Sequence, residues 1–315
     1  MQQGMGIVAK LLDSWRVNIY VRTRQGLRYC LEPSSWLNNA TILVATAIIL
    51  PAIVTGQISS KAYRALGQAD LTRNGLNRVQ GTEMSSPGSV AIDFRDGRLR
   101  LYVADTGNHR VLAWSDAQSY QVGDPPALVL GQPRPDGSAP LGVGRAGLRS
   151  PVGISADPLT GNLYVADSGN HRVVRFPDPF NNPSRVEPDL VYGQADFNVQ
   201  TPNGSGNVRN SLRNPLGVTV DQTGNLWIAD TGNNRVLRYA AGVLEASCPV
   251  PDVVLGQKDF IDVGRNRSGS IVSPSGFDTP SALSFDSNNN LYVSDSGNAR
   301  ILRFVAPFVS DSAAS

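Results

Sequence analysis

Four copies of one unit, spaced about 63 residues apart, constrain this chain more than any other feature. Asp105-Thr-Gly-Asn-His-Arg110 recurs as Asp167-Ser-Gly-Asn-His-Arg172, Asp230-Thr-Gly-Asn-Asn-Arg235 and Asp295-Ser-Gly-Asn-Ala-Arg300, at spacings of 62, 63 and 65. A Gly-Gln pair keeps the same period at Gly67, Gly131, Gly193 and Gly256, and a proline keeps it at Pro87, Pro151, Pro215 and Pro280. Three markers on one period exclude coincidence. Such a period means an array or a propeller, in which a unit buries its apolar face only by stacking on a neighbour.

Each unit reads as four strands. The first follows the proline, as in Gly153-Ile-Ser-Ala-Asp157. A Gly/Asn turn leads to the second, Leu101-Tyr-Val-Ala-Asp105 and its relatives, and the Asp-Thr/Ser-Gly-Asn turn leads to the third. The fourth ends in Gly-Gln, as in Ala127-Leu-Val-Leu-Gly-Gln132. The second and third strands are nearly continuous apolar runs, as expected of sheets covered on both faces. The 31 Gly and 21 Pro fit many short strands joined by turns. The fold class is therefore all-β.

The repeated turn has a structural reading. The pairs Asp105/Arg110, Asp167/Arg172, Asp230/Arg235 and Asp295/Arg300 flank four-residue loops and face each other across a hairpin. Opposite charges there close the turn, and the aspartate can accept backbone N–H groups. Gly107 is expected to permit positive φ, with Asn108 tolerating it. Fourfold identity favours structure, since a binding site normally differentiates its copies.

These residues carry a resemblance. Pro-x-Gly-Val/Ile, then Gly-Asn-Leu-Tyr/Trp-Val/Ile-Ala-Asp, then Thr/Ser-Gly-Asn-x-Arg-Val/Ile-Leu/Val resembles the NHL repeat, over about 85–305. The resemblance implies a β-propeller of four-stranded antiparallel blades. It also implies a binding module for proteins or RNA, with a minority of the family being enzymes such as peptidyl-hydroxyglycine lyases. Family propellers usually have six blades, whereas four units are visible here. Lys61–Gln68 supplies a fourth strand with no first three, and the last unit has three strands and no fourth. The expectation is a propeller over 57–308 whose last blade is closed by the N-terminal strand, followed by a tail, 309–315.

Residues 40–56 form an uncharged apolar run behind a basic stretch. Val54 and Gly56 are small residues placed for a cut before Gln57, which reads as a signal peptide, with a retained membrane anchor as the other reading. The expected location is exported (periplasmic or extracellular) or anchored to a membrane. The extension 1–39 is far longer than a usual signal's basic region and gets no assignment. Residues 1–56 hold five basic and two acidic residues, leaving 23 Lys+Arg against 24 Asp+Glu in 57–315. That balance argues against a nucleic-acid partner. The two cysteines, Cys30 and Cys248, lie on either side of the apolar run and suggest no internal disulfide in a cleaved chain.

The expected function is non-catalytic: a binding or scaffold propeller engaging a protein, peptide or glycan. In an antiparallel meander the repeated turns and the long fourth-to-first connections share one face. These connections span 20 to 24 residues from Gly to Pro, and long loops on a rigid scaffold are where binding concentrates. Met84, Leu148, Leu212 and Phe277, with Leu71, Phe197 and Phe260, read as apolar anchors of the loops. The polar tips Arg73, Asn74, Arg145, Asn203, Asn207, Arg209, Arg265, Asn266 and Arg267 are the candidate ligand contacts. His109 and His171 occupy one turn position in adjacent units and are too few for a three-ligand zinc site, so they read as surface turn residues and no metal is assigned. Asp93, Asp157, Asp221 and Asp286 end the first strands; they read as turn caps, with calcium as the one cofactor they suggest. No nucleophile elbow, phosphate loop or His-Glu-x-x-His occurs. The alternative is a propeller hydrolase or lyase, lactonase-like or amidating-lyase-like, which would place acids at the mouth of the central channel.

Overall fold

The computed structural model describes residues 62, 64–68, 71–72, 82–95, 97–141, 144–183, 186–204, 208–243 and 249–310, all within one compact unit, Ser59–Ser315. The extension 1–39, the apolar run 40–56, both cysteines and most of the 309–315 tail lie outside the described residues. Among the described residues, no helix is long and apolar enough to cross a membrane.

The fold is all-β, with each repeat folded as an antiparallel blade. The first blade is β1 (Pro87–Asp93), β2 (Arg100–Asp105), β3 (Arg110–Trp114) and β4 (Leu128–Leu130), hydrogen-bonded in that order. The second is β5 (Pro151–Ala156), β6 (Leu163–Asp167), β7 (Arg172–Phe176) and β8 (Leu190–Tyr192). The third is β9 (Gly217–Val220), β10 (Leu226–Asp230), β11 (Arg235–Tyr239) and β12 (Val253–Leu255). The fourth holds β13 (Pro280–Phe285), β14 (Leu291–Asp295) and β15 (Arg300–Phe304). Successive first strands β1, β5, β9 and β13 pack side by side as the inner layer.

The continuous apolar runs are explained by burial on both faces. One face of the first blade (Tyr102, Val111, Leu130) packs on Ile154, Val165, Val174 and Phe176 of the second. The opposite face of the second (Tyr164, Val173, Tyr192) packs on Ile228, Leu237, Tyr239 and Val254 of the third. The third presents Trp227, Val236 and Leu255 to Leu291, Val293 and Phe304 of the fourth. Each such side chain contributes about 1.5–3 kcal/mol, so the blade contacts, rather than the ladders within a blade, hold the array together.

The Gly-Gln marker marks where a fourth strand hands over to the next blade. Gly131, Gly193 and Gly256 take φ of 83°, 87° and 89°, and the room a side chain would need is filled by Leu148, Leu212 and Phe277. These three anchors are fully buried, as expected, whereas Leu71 is exposed. Gly67 does the same with Met84, and its backbone bridge to Glu83 matches the bridge from Gly193 to Ser211.

The N-terminal strand does not close the last blade among the described residues. The fourth sheet has three strands, and Leu66 packs instead with Met84, Val103, Leu112 and Trp114 of the first blade. Arg64–Gln68 keeps the contact a fourth strand makes with the blade that follows it, here blade one, but among the described residues no ladder joins it to β15. The outer faces at the two ends differ accordingly. Val90 on β1 is 64% exposed, and Ile301 on β15 is 70% exposed, although their counterparts Ile154 and Val173 are buried.

Candidate binding face

The repeated Asp-to-Arg turns join three stretches of chain rather than one hairpin. In the second blade, Arg172 Nε donates to Asp167 Oδ2 at 2.7 Å, and Asn170 donates to the same oxygen at 2.8 Å. Asp167 Oδ1 accepts the backbone N–H of Arg149, from the preceding long loop, at 2.7 Å. The remaining guanidinium nitrogens of Arg172 donate to the carbonyls of Gly147 before the turn and Phe197 after it, both at 2.8 Å. Asp105/Arg110 and Asp230/Arg235 repeat this scheme with Ser85 and Glu83, and with Arg213, Ser211 and Phe260. Both charges of these three pairs are buried. Each pair therefore clamps the loops on either side of its blade to the turn.

The turn glycine has a different role from the one expected. Positive φ falls one residue after the asparagine, at His109, His171, Asn234 and Ala299 (51° to 56°). Gly169 and Gly232 are needed because the stems of Arg149 and Arg213 lie across them, each with Cγ 2.6 Å from where a β-carbon would stand.

The two histidines are part of the same bracing. His109 Nδ1 accepts the N–H of Ser150 at 2.9 Å, and His171 Nδ1 accepts that of Asn214 at 3.1 Å. Asn234 Oδ1 does the same for Thr279. The acceptor role requires a neutral ring with its proton on Nε2. Burial and the Arg149 guanidinium hold both imidazoles below their ordinary value of 6.5, with Arg213 adding to the effect on His171.

The long loops share more structure than their sequences suggest. Gln132, Gln194 and Gln257 each donate to a turn carbonyl and to a carbonyl seven residues on in the loop. Arg145 and Arg209 lie over the rings of Phe197 and Phe260, 4.4 and 4.1 Å from the centroids, and donate to Pro188 and Pro251 carbonyls. Asn203 pairs with Asn233, and the buried Asn266 pairs with Asn298. Arg265 is largely exposed beside Asp278 at 3.3 Å, and Arg267 is half-buried with a left-handed backbone. Arg73, Asn74 and Asn207 lie outside the described residues. Six of the nine tip residues are thus placed, and four of them brace the loop that carries them.

Between the loops lies a groove. The first residues of β1, β5, β9 and β13 surround a cavity of about 260 Å³, lined by glycines, aliphatic side chains and the hydroxyl-bearing Ser89, Ser155, Thr219 and Ser281. No lining residue is Asp, Glu, His or Cys. These strands begin where the long loops end, so the groove opens on the loop face. At its rim stand Arg149 and Arg213, two residues before Pro151 and Pro215, both exposed. Their stems are held on the turn glycines and their backbones on the turn aspartates, while no acid pairs with either guanidinium among the described residues. Sequence reading passed over them for Arg145 and Arg209, four residues upstream. The signal was present: inside an otherwise constant frame that position reads Ser85, Arg149, Arg213, Asp278.

On the other face the strand-ending aspartates cap turns. Asp221 accepts from Thr223, Asn225 and the Trp227 indole, and Asp286 from Asn288 and Asn290. Asp157 holds Leu159 and Thr160, and Asp93 holds Arg95 and Arg100. The Arg95 and Arg100 guanidiniums and the Arg95 N–H keep the Asp93 carboxyl below the usual carboxylate range, against the opposing push of burial. Among the described residues, no group of three or more His, Cys, Asp and Glu stands close enough to hold a metal ion.

A family model agrees with the repeat frame. Residues 148–176, 212–239 and 277–304 match the model of the NHL repeat, each running from a buried anchor to the end of a third strand. NHL repeat-containing protein 2 of Bos taurus is 24% identical over 265 residues, covering 78% of this chain and 34% of that protein. The Homo sapiens protein of the same name is 25% identical over 265 residues with the same coverage. The chain spans about a third of the length of these curated relatives. Among solved structures, a streptogramin B lyase aligns at 12% identity and a TM-score of 0.41, over 71% of this chain and 53% of that one. An auxiliary nutrient binding protein from Bacteroides ovatus aligns at 12% identity and 0.44, over 70% and 48%. The chain carries NHL repeats, and its four repeat units are the antiparallel blades of a β-propeller.

Proposed function

We propose that this propeller is a non-catalytic binding module that takes a protein, peptide or glycan on its long-loop face, at the mouth of the central groove. The groove carries the reading: its walls offer hydroxyls, strand-edge backbone and small apolar side chains, and no ionisable group that could act as acid, base or nucleophile. The loops supply a rigid rim, since their arginines, asparagines and glutamines brace the scaffold. The uncharged run 40–56 supports export or membrane anchoring of the module, which cell fractionation with an alkaline carbonate wash would test.

Panning a random peptide library on the full chain tests the binding reading. Ala282, exposed on β13 in the groove wall, can be enlarged without disturbing a core. Enriched peptides should lose capture by Ala282→Trp at unchanged thermal stability. Failure to enrich any sequence, or enrichment indifferent to Ala282→Trp, would refute it.

A further inference from the structure

We infer that the groove mouth recognises a carboxylate-bearing segment of its ligand, that is, an acidic peptide gripped between Arg149 and Arg213. This inference rests on the binding reading above and names the ligand chemistry. Three observations carry it. Arg149 and Arg213 occupy the same place in consecutive units, and both flank one turn, Ser168–Asn170 with His171. The Arg149 stem lies on Gly169 of that turn, and Asn214, next to Arg213, donates its N–H to His171. Both cations therefore stand in the neighbourhood of a single imidazole.

Second, both stems are fixed while neither head has an acidic partner among the described residues. Most arginines of this propeller are spoken for: Arg110, Arg172 and Arg235 in the buried clamps, Arg175 and Arg238 on Asp189 and Asp252, Arg95 on Asp93 and Asp178. Arg149 and Arg213 are exposed and meet no acid among the described residues, although fixing their backbones and stems has already removed much of their freedom. A guanidinium held this way presents a fork of donors that matches a carboxylate, and little further ordering is needed on binding.

Third, the surroundings complement an anion attached to a chain. The acceptor duty of Nδ1 leaves the His171 proton on Nε2, so the imidazole is a donor. The turn aspartates Asp167 and Asp230 beneath are buried and fully engaged, and present no free negative charge to the rim. Alongside runs the groove of hydroxyls and strand edges, suited to an extended backbone.

The test uses the full chain and fluorescence anisotropy at low salt with a labelled Gly-Glu-Glu-Glu-Glu-Gly peptide, its Gln counterpart, and a ten-nucleotide oligothymidine. The Glu peptide should bind at least roughly tenfold more tightly than the Gln peptide and the oligonucleotide. The double variant Arg149→Gln/Arg213→Gln should abolish that preference, while Arg134→Gln, at an exposed loop site already paired with Asp136, should leave it intact. Equal binding of the Glu and Gln peptides, indifference to the double variant, or tighter binding of the oligonucleotide would overturn the inference. Library peptides captured in the groove without any acidic preference would overturn it alone, leaving the binding reading standing.

Discussion

Replacing Arg172 by methionine isolates the energy of a buried turn clamp, and Arg300 supplies the control inside the same molecule. The two arginines follow identical turn sequences and make the same 2.7 Å contact from Nε to their aspartates. They differ in surroundings. Arg172 is fully buried and also reaches the Phe197 carbonyl of the following loop, whereas the Arg300 side chain is 24% exposed and, among the described residues, reaches the preceding loop alone, at Ser273 and Gly276. Removing one partner of a buried pair costs about 3–5 kcal/mol. Orphaning the Gly147 and Phe197 carbonyls adds about 1 kcal/mol each. Arg172→Met should therefore lose roughly 5–7 kcal/mol, a large share of a domain's usual ~5–15 kcal/mol. Asp295 is buried, but the Arg300 head is partly exposed, so water can enter in place of the lost guanidinium and Arg300→Met should lose less, about 2–3 kcal/mol. Guanidinium chloride unfolding followed by the fluorescence of buried Trp227 measures both. Equal losses, or a loss below about 1 kcal/mol for Arg172→Met, would refute the clamp argument.

Four further outcomes are expected. His109 and His171 titrate below 6.5 when folded, so the unfolded chain takes up protons first as pH falls. The stability they contribute is present above pH 6.5 and is lost as pH drops through the folded values; the double change to Asn, which copies Asn234, should flatten the melting temperature between about pH 8 and 5. Gly169→Ala puts a methyl group against the Arg149 stem and carbonyl and should cost about 1–3 kcal/mol by thermal unfolding, where a neutral result would mean the close approach is not required. Ala299 holds φ of 51° without the side-chain acceptor found at His109 and Asn234, so Ala299→Gly should stabilise by about 1 kcal/mol. Ile301 stands exposed on β15 at the open end of the array, and Ile301→Lys should reduce concentration-dependent association in light scattering without lowering the melting temperature.

The blades were legible because periodicity reports directly on packing. Runs such as Leu163–Asp167 are apolar throughout because both faces touch a neighbour, and the anchors Leu148, Leu212 and Phe277 keep a fixed distance from a proline because each fills the space over a glycine. The roles within the turn were not legible. Pairing Asp167 with Arg172 follows from their spacing, but the guanidinium's reach to Gly147 and Phe197 depends on loops folding back over the blade, and no local pattern states that. The same contacts explain why loop composition misled. Arg145 and Asn203 look like free polar tips in a linear reading, yet one covers Phe197 and the other meets Asn233, because a long loop with almost no secondary structure must satisfy its own backbone and edges with side chains.

For the proposed binding face, that requirement points to a position by subtraction. A polar residue on this face has structural work if it reaches a turn, a carbonyl or an aromatic ring, and the repeat assigns that work to the same positions in unit after unit. Function has to sit where the frame holds a side chain in place but asks nothing of its head. The position two before each proline comes nearest to this condition: its N–H is tied to the turn aspartate in all four units while its side chain varies, as Ser85, Arg149, Arg213 and Asp278, and of these Asp278 faces Arg265 whereas Arg149 and Arg213 meet no acid among the described residues. A rigid backbone with a variable tip, repeated around one groove, would let the proposed ligand choice change at each blade while the clamps beneath stay the same.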